Sequence, residues 1–115
     1  MSTPDAKLPS ISAEEAWNRL AQDSPEAVLI DVREPFEYRW RHINGSRNIP
    51  LSQFKRRIDE VPRDKEVLLL CLSGHRSITA GKMLKKRGVS RVVNIKGGVF
   101  GWLWKKLPMV HSFNA

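Results

Sequence analysis

The 115-residue chain carries 20 Lys and Arg against 12 Asp and Glu, a formal net charge of +8, with 41% hydrophobic and 28% charged residues. That length suits one ordinary domain with a packed core, and the composition argues against a disordered chain or a membrane span, which needs roughly 18 consecutive apolar residues. A single cysteine excludes an internal disulfide and suits a reducing compartment, so a cytoplasmic protein is expected.

The opening Met1-Ser2-Thr3-Pro4-Asp5-Ala6-Lys7 has no apolar leader core, and no repeat or linker divides the chain. One domain over 8–108 is expected, with loosely ordered ends at 1–7 and 109–115. Ser12 followed by Glu15 is a capping-box pattern and predicts a helix near 13–22, with Ile11, Ala16, Trp17 and Leu20 on one face. The run Val28-Leu29-Ile30-Asp31-Val32 predicts a strand covered on both faces, with Asp31 and Arg33 at its end. Pro35 suits the first turn of a short helix through Trp40. Asn44-Gly45 reads as a turn, and Arg47-Asn48-Ile49 as a short strand closed by Pro50.

A helix from Leu51 to Ile58 would bring Leu51, Phe54 and Ile58 together. Val67-Leu68-Leu69-Leu70 is the most apolar run and predicts a central strand that delivers Cys71 at its C-terminal end. A helix over Ser77 to Lys86 follows, with Ile78, Gly81 and Leu84 inward and Gly88 as its left-handed terminator. Arg91 to Ile95 predicts another strand, Gly97-Gly98 a turn, and Val99 to Lys106 a last helix before Pro108. Strands alternating with helices imply an α/β fold, a mainly parallel central sheet with helices on both faces. Sites in such sheets lie at the carboxyl ends of strands, where Cys71 falls.

The segment Cys71-Leu72-Ser73-Gly74-His75-Arg76-Ser77 joins a buried strand to a helix, and its backbone N–H groups are expected to curl into a ring that stabilises an anion. Gly74 supplies freedom for a positive φ, and Ser77 is expected to be a helix cap or a hydroxyl partner for the sulfur. In such a ring the cysteine is expected to act as the thiolate nucleophile. A thiolate, a persulfide or a phosphate or arsenate oxyanion all suit a ring of this kind. Four residues separate Cys71 from Arg76, a smaller ring than the five-residue spacing of cysteine phosphatases, and this favours sulfur.

Asp31-Val32-Arg33-Glu34, the stretch His42 to Pro50, Cys71-x-x-Gly74-x-Arg76-Ser77 and Gly97-Gly98-Val99-x-Gly101-Trp102 occur in this order. Together they resemble the successive signatures of single-domain rhodaneses, over Leu8 to Pro108. The resemblance implies a thiosulfate sulfurtransferase working through a Cys71 persulfide in a ping-pong cycle. The sulfur would come from thiosulfate or polysulfide and pass to cyanide or a thiol. Leu72 to Ser77 would then be the substrate-binding or persulfide-stabilising loop, with Leu72 and Ser73 standing where the family often has a basic residue. Arg76 would either attract the donor's sulfonate or brace the loop by pairing with Asp31 or Glu34. The resemblance assigns Asp31 and Arg33 a supporting, structural part.

His42 is expected to order the turn at Asn44 and Gly45, and His75 to have no acid–base part. His42, His75, His111 and Cys71 show no metal-ligand spacing, and no nucleotide fingerprint is present, so neither metal nor cofactor is expected. Trp17, Trp102 and Trp104 are read as core by spacing, and Trp40, between Arg39 and Arg41, as mostly core with exposure as the alternative; the basic residues are read as solvated helix faces. No nucleic-acid or membrane partner is expected, and a monomer is the simplest state. Two other functions stay open: a persulfide carrier whose basic surface docks an acidic protein, and a cysteine phosphatase or arsenate reductase.

Overall fold

The computed structural model describes residues 8–22, 26–73 and 75–111. In chain order the elements are β1 (Ser10–Ile11), α1 (Ala13–Leu20), β2 (Ala27–Asp31), α2 (Pro35–Trp40), β3 (Arg47–Asn48), α3 (Leu51–Arg57), a 3₁₀ turn (Ile58–Glu60), β4 (Glu66–Leu70), α4 (Arg76–Lys86), β5 (Val92–Ile95) and α5 (Gly98–Trp104). The five strands pair in the order β1-β5-β4-β2-β3, every pair parallel.

Side-chain alternation along the buried strands divides the core into two layers. Val67 and Leu69 of β4 join Ile30, Phe54, Ala80 and Leu84 on the face covered by α3 and α4. Leu68 and Leu70 join Ala16, Val93, Val99 and Trp102 on the face covered by α1 and α5. Cys71 continues the odd-numbered series and lies with the α3/α4 layer. The chain turns from β2 outward to β3 and from β4 outward to β5, so the loops after β2 and β4 diverge at adjacent strand ends. This is the crevice where parallel sheets place their sites.

Several sequence expectations need correction. The edge strand β1 escapes a reading based on apolar runs because it has only two residues, held where Asn94 N–H donates to Pro9 C=O at 2.8 Å and Lys96 N–H to Ile11 C=O at 2.8 Å. Helix α4 begins at Arg76, and its buried face is Ser77, Ala80, Gly81 and Leu84, while Ile78 is exposed. Ser77 is therefore inside the helix, with His75 at the N-cap position and no side-chain cap there, and is not itself the cap. Trp102 alone of the four tryptophans is fully buried; Trp17 packs edge-on against it at 6.0 Å, and Trp40 and Trp104 are exposed. Met109 and Val110, expected in a loose tail, are held: Met109 packs on the α1/α5 layer, and Val110 exchanges backbone hydrogen bonds of 2.7 and 2.8 Å with His42.

His42 does not order the Asn44-Gly45 turn. Its ring stacks on Tyr38 and its Nδ1 lies 2.8 Å from Tyr38 C=O, while Ser46 closes the turn onto Ile43 C=O at 2.6 Å. The loop after β2 is organised by a fully buried ion pair. Arg33 Nη2 meets Asp31 Oδ2 at 2.7 Å, its Nε bridges both carboxylate oxygens, and its remaining donors reach Glu37 C=O and Arg41 C=O near the end of α2. The pair thus fastens α2 to the end of β2. Removing one partner leaves an uncompensated buried charge, so Arg33→Ala is expected to lose about 3–5 kcal/mol of stability in denaturant unfolding. A loss below about 1 kcal/mol would contradict this role.

Candidate active site

Cys71 follows directly on β4, and its side chain is 1% exposed. Its thiol donates to Ser77 Oγ at 3.5 Å, and the Ser77 hydroxyl donates to Asn94 Oδ1 of β5. Leu72 is half-buried, and Ser73 and His75 are exposed at the mouth of the loop. Gly74, expected to take a positive φ at the middle of the ring, lies outside the described residues.

The loop's backbone is held from behind by α5. Val99 N–H donates to Cys71 C=O at 2.9 Å and Phe100 N–H to Leu72 C=O at 3.2 Å. This close approach depends on Gly98, which has φ +57°; a Cβ there would lie 2.4 Å from Cys71 C=O and 2.6 Å from Leu72 C=O. The sequence marks Gly97-Gly98 as a turn, but not that its second glycine presses on the cysteine's own peptide.

From the front, Arg76 is engaged by α2. Its two Nη atoms meet the two Glu37 carboxylate oxygens at 2.7 and 2.9 Å. The carboxylate is thus Glu37 and neither Asp31 nor Glu34, since Asp31 is consumed by Arg33 and Glu34 caps α2 and accepts from Ser52. Glu37 is also tied by Glu34 N–H at 2.9 Å in a reciprocal capping box. That Glu34-x-x-Glu37 spacing was the one sequence signal that would have placed Glu37. The Arg76 hydrogen bonds hold the Glu37 carboxyl below its ordinary 4.5, with burial opposing. Arg76 is held more firmly charged by Glu37 first, and after it by Cys71 and Glu34.

The structure therefore gathers Cys71, Ser77 and the loop at one strand end, with Arg76 closing its side. Asp31 and Arg33 stand beneath α2, turned toward each other. Among the described residues no group of three or more His, Cys, Asp and Glu is placed to hold a metal. No helix among them is long and apolar enough to cross a membrane.

The described structure is thus a parallel α/β sheet with a buried cysteine at the head of a strand-to-helix loop. The chain belongs to the rhodanese-like family, whose domain model matches residues 12–105. It is 49% identical over 77 residues to the uncharacterized protein YqhL of Bacillus subtilis (strain 168), covering 67% of this chain and 61% of that one. It is 35% identical over 100 residues to a protein named sulfurtransferase from Allochromatium vinosum, covering 87% and 92%. To the putative sulfur carrier protein YrkF of Bacillus subtilis it is 36% identical over 101 residues, covering 87% of this chain and 54% of that one. The chain thus matches less than two thirds of the length of YqhL and YrkF. The crystal structure of a rhodanese-related protein from Thermoplasma volcanium superposes with a TM-score of 0.81 at 31% identity, over 89% of this chain and 97% of that one.

Two consequences can be measured. Glu37 binds a proton less readily in the folded chain than in the unfolded one, so its ion pair contributes fully above 4.5 and is lost as pH falls through the lower folded value. Glu37→Gln should cost about 1 kcal/mol at neutral pH, allowing for screening on the open Arg76 side, and the difference from wild type should vanish in acid. A difference that stays constant through the acid limb of the unfolding profile would contradict the pair. Gly98→Ala should cost at least about 2 kcal/mol, because backbone must move on both sides of the added carbon. Unfolding at the wild-type denaturant midpoint would show that the loop does not depend on this approach.

Proposed function

We propose that the protein is a sulfurtransferase that carries sulfane sulfur on Cys71. The observation that carries this reading is the buried Cys71 sulfur at the end of β4, on Ser77 and in a loop with four residues between cysteine and arginine. Membership of the rhodanese-like family supports it.

In the first half-reaction the Cys71 thiolate attacks the outer sulfur of thiosulfate. A Cys71 S–S bond forms, and the bond to the sulfonate sulfur breaks with its electron pair leaving on sulfite. In the second, cyanide or a thiolate attacks the outer sulfur of the persulfide, and the electron pair returns to Cys71 as thiolate. Each half divides a direct transfer into a nucleophilic displacement at sulfur. Polysulfide serves as donor by the same displacement. Leu72, Ser73, Gly74 and His75, with Arg76 and Ser77 in the first turn of α4, form the segment that receives the donor.

Arg76 enters this cycle as a positioning residue. With both Nη atoms on Glu37, it braces the loop against α2 and lends a field to the sulfur. A persulfide carrier that loads from a partner protein is the second reading, favoured by the likeness to the protein named a putative sulfur carrier. The basic surplus of the chain would then suit an acidic partner.

Turnover separates the two. Thiosulfate and cyanide should yield thiocyanate with the wild type, and Cys71→Ser should lose the activity by about a thousandfold or more, as expected when the covalent nucleophile is removed. No turnover with thiosulfate or polysulfide, but loading from a protein persulfide, would replace the enzyme reading with the carrier.

A further inference from the structure

Strand β5 is buried on both faces, and its residues are apolar except for Asn94. Val92 belongs to the α3/α4 layer, so alternation puts Asn94 on the face of Cys71 and α4. Ser10 stands beside it in register on β1. A buried amide needs partners at both ends. Here they are two hydroxyls: Ser77 donates to Asn94 Oδ1, and Asn94 Nδ2 donates to Ser10 Oγ at 3.4 Å. With the Cys71 thiol donating to Ser77 at 3.5 Å, the hydrogen bonds run in one direction from the sulfur to the exposed Ser10.

The same chain is complete in the opposite direction. Hydroxyls both donate and accept, and a carboxamide presents an acceptor at one end and a donor at the other. After a half-turn of the amide, Ser10 donates to Oδ1, Nδ2 donates to Ser77, and the Ser77 hydroxyl donates to the sulfur. The first direction suits a thiol, which has a proton to give. The second suits a thiolate or persulfide anion, which only accepts.

We infer that Asn94 is a positioning residue for the Cys71 sulfur: by turning between Ser77 and Ser10, its amide sets whether Ser77 accepts from the thiol or donates to the sulfur anion. The inference deepens the sulfur-transfer reading, and the ionisation of the thiol tests it with no sulfur donor present. Among the described residues, the charged and titratable groups on the segments flanking the sulfur include Arg76 of α4 with Glu37 of α2 and Glu34 acting upon it, the closed Asp31–Arg33 pair after β2, and His75 in the loop. The Asn94 side chain hydrogen-bonds to none of these groups among the described residues; it meets Ser77 and Ser10.

The experiment follows the ultraviolet absorbance of the thiolate against pH, with Cys71→Ser as the blank. Asn94→Asp offers only an acceptor, keeps the Ser77 hydroxyl turned away and adds a negative charge. It should raise the midpoint by about one pH unit, a tenfold change in the thiol-to-thiolate ratio. Asn94→Leu removes the acceptor that draws the hydroxyl from the sulfur and should lower the midpoint by a few tenths of a unit or more. Shifts of opposite sign support the relay; a rise in both variants, as general loosening of the loop would give, or no movement in either overturns it. Should the aspartate variant not fold, the leucine variant decides alone, a lowered midpoint supporting the relay and an unchanged or raised one overturning it. A wild type that takes sulfur from no donor would remove the proposed function while leaving this result intact.

Discussion

Val99 N–H and Phe100 N–H, in the first turn of α5, hold the carbonyls of Cys71 and Leu72 and so fix the loop by its backbone. The contact is made where Gly98 lies against the same peptides, too close for any side chain. Because the carbonyls are drawn back toward α5, the cysteine side chain is left on the opposite layer, under α4, where Ser77 meets it. The two layers of the core thus divide the work: one holds the loop and the other receives the sulfur.

The sulfur-carrying role proposed for the loop needs a backbone ordered before the donor arrives. Three fastenings supply that order. The α5 amides act from behind, the Glu37–Arg76 pair closes the side toward α2, and the buried Asp31–Arg33 pair keeps α2 itself in place. The two ion pairs form one connected path, since Arg33 grips the Glu37 carbonyl while the Glu37 carboxylate grips Arg76. An arginine that a sequence reader would offer to the substrate is thereby already committed to another element.

The α/β architecture was legible from alternation of apolar runs with capped, amphipathic segments, and Cys71 from its place after the most apolar run. The local spacings that name a partner within a few residues were equally legible, as Ser12 with Glu15 and the Gly88 terminator illustrate. Pairings between distant elements were not. Arg76 lies 39 residues from Glu37, and choosing among Asp31, Glu34 and Glu37 requires knowing that the first is already taken by Arg33. β1 is too short to show a pattern, yet its Ser10 completes the chain of hydrogen bonds through Asn94. Asn94 did leave a trace: it is a polar residue inside a strand of a sheet expected to carry helices on both faces, where it needs partners. The phase of α4 slipped because apolar Ile78 looked inward, whereas the helix turns Ser77 to the sheet to meet the sulfur.

The proposed activity rests on one sulfur atom binding another. Intact mass after incubation with thiosulfate alone, on wild type beside Cys71→Ser, tests that directly. A gain of one sulfur atom on the wild type, removed by cyanide and absent from the variant, is the predicted result. An unmodified wild-type mass with thiosulfate, polysulfide and a protein persulfide donor alike would contradict it.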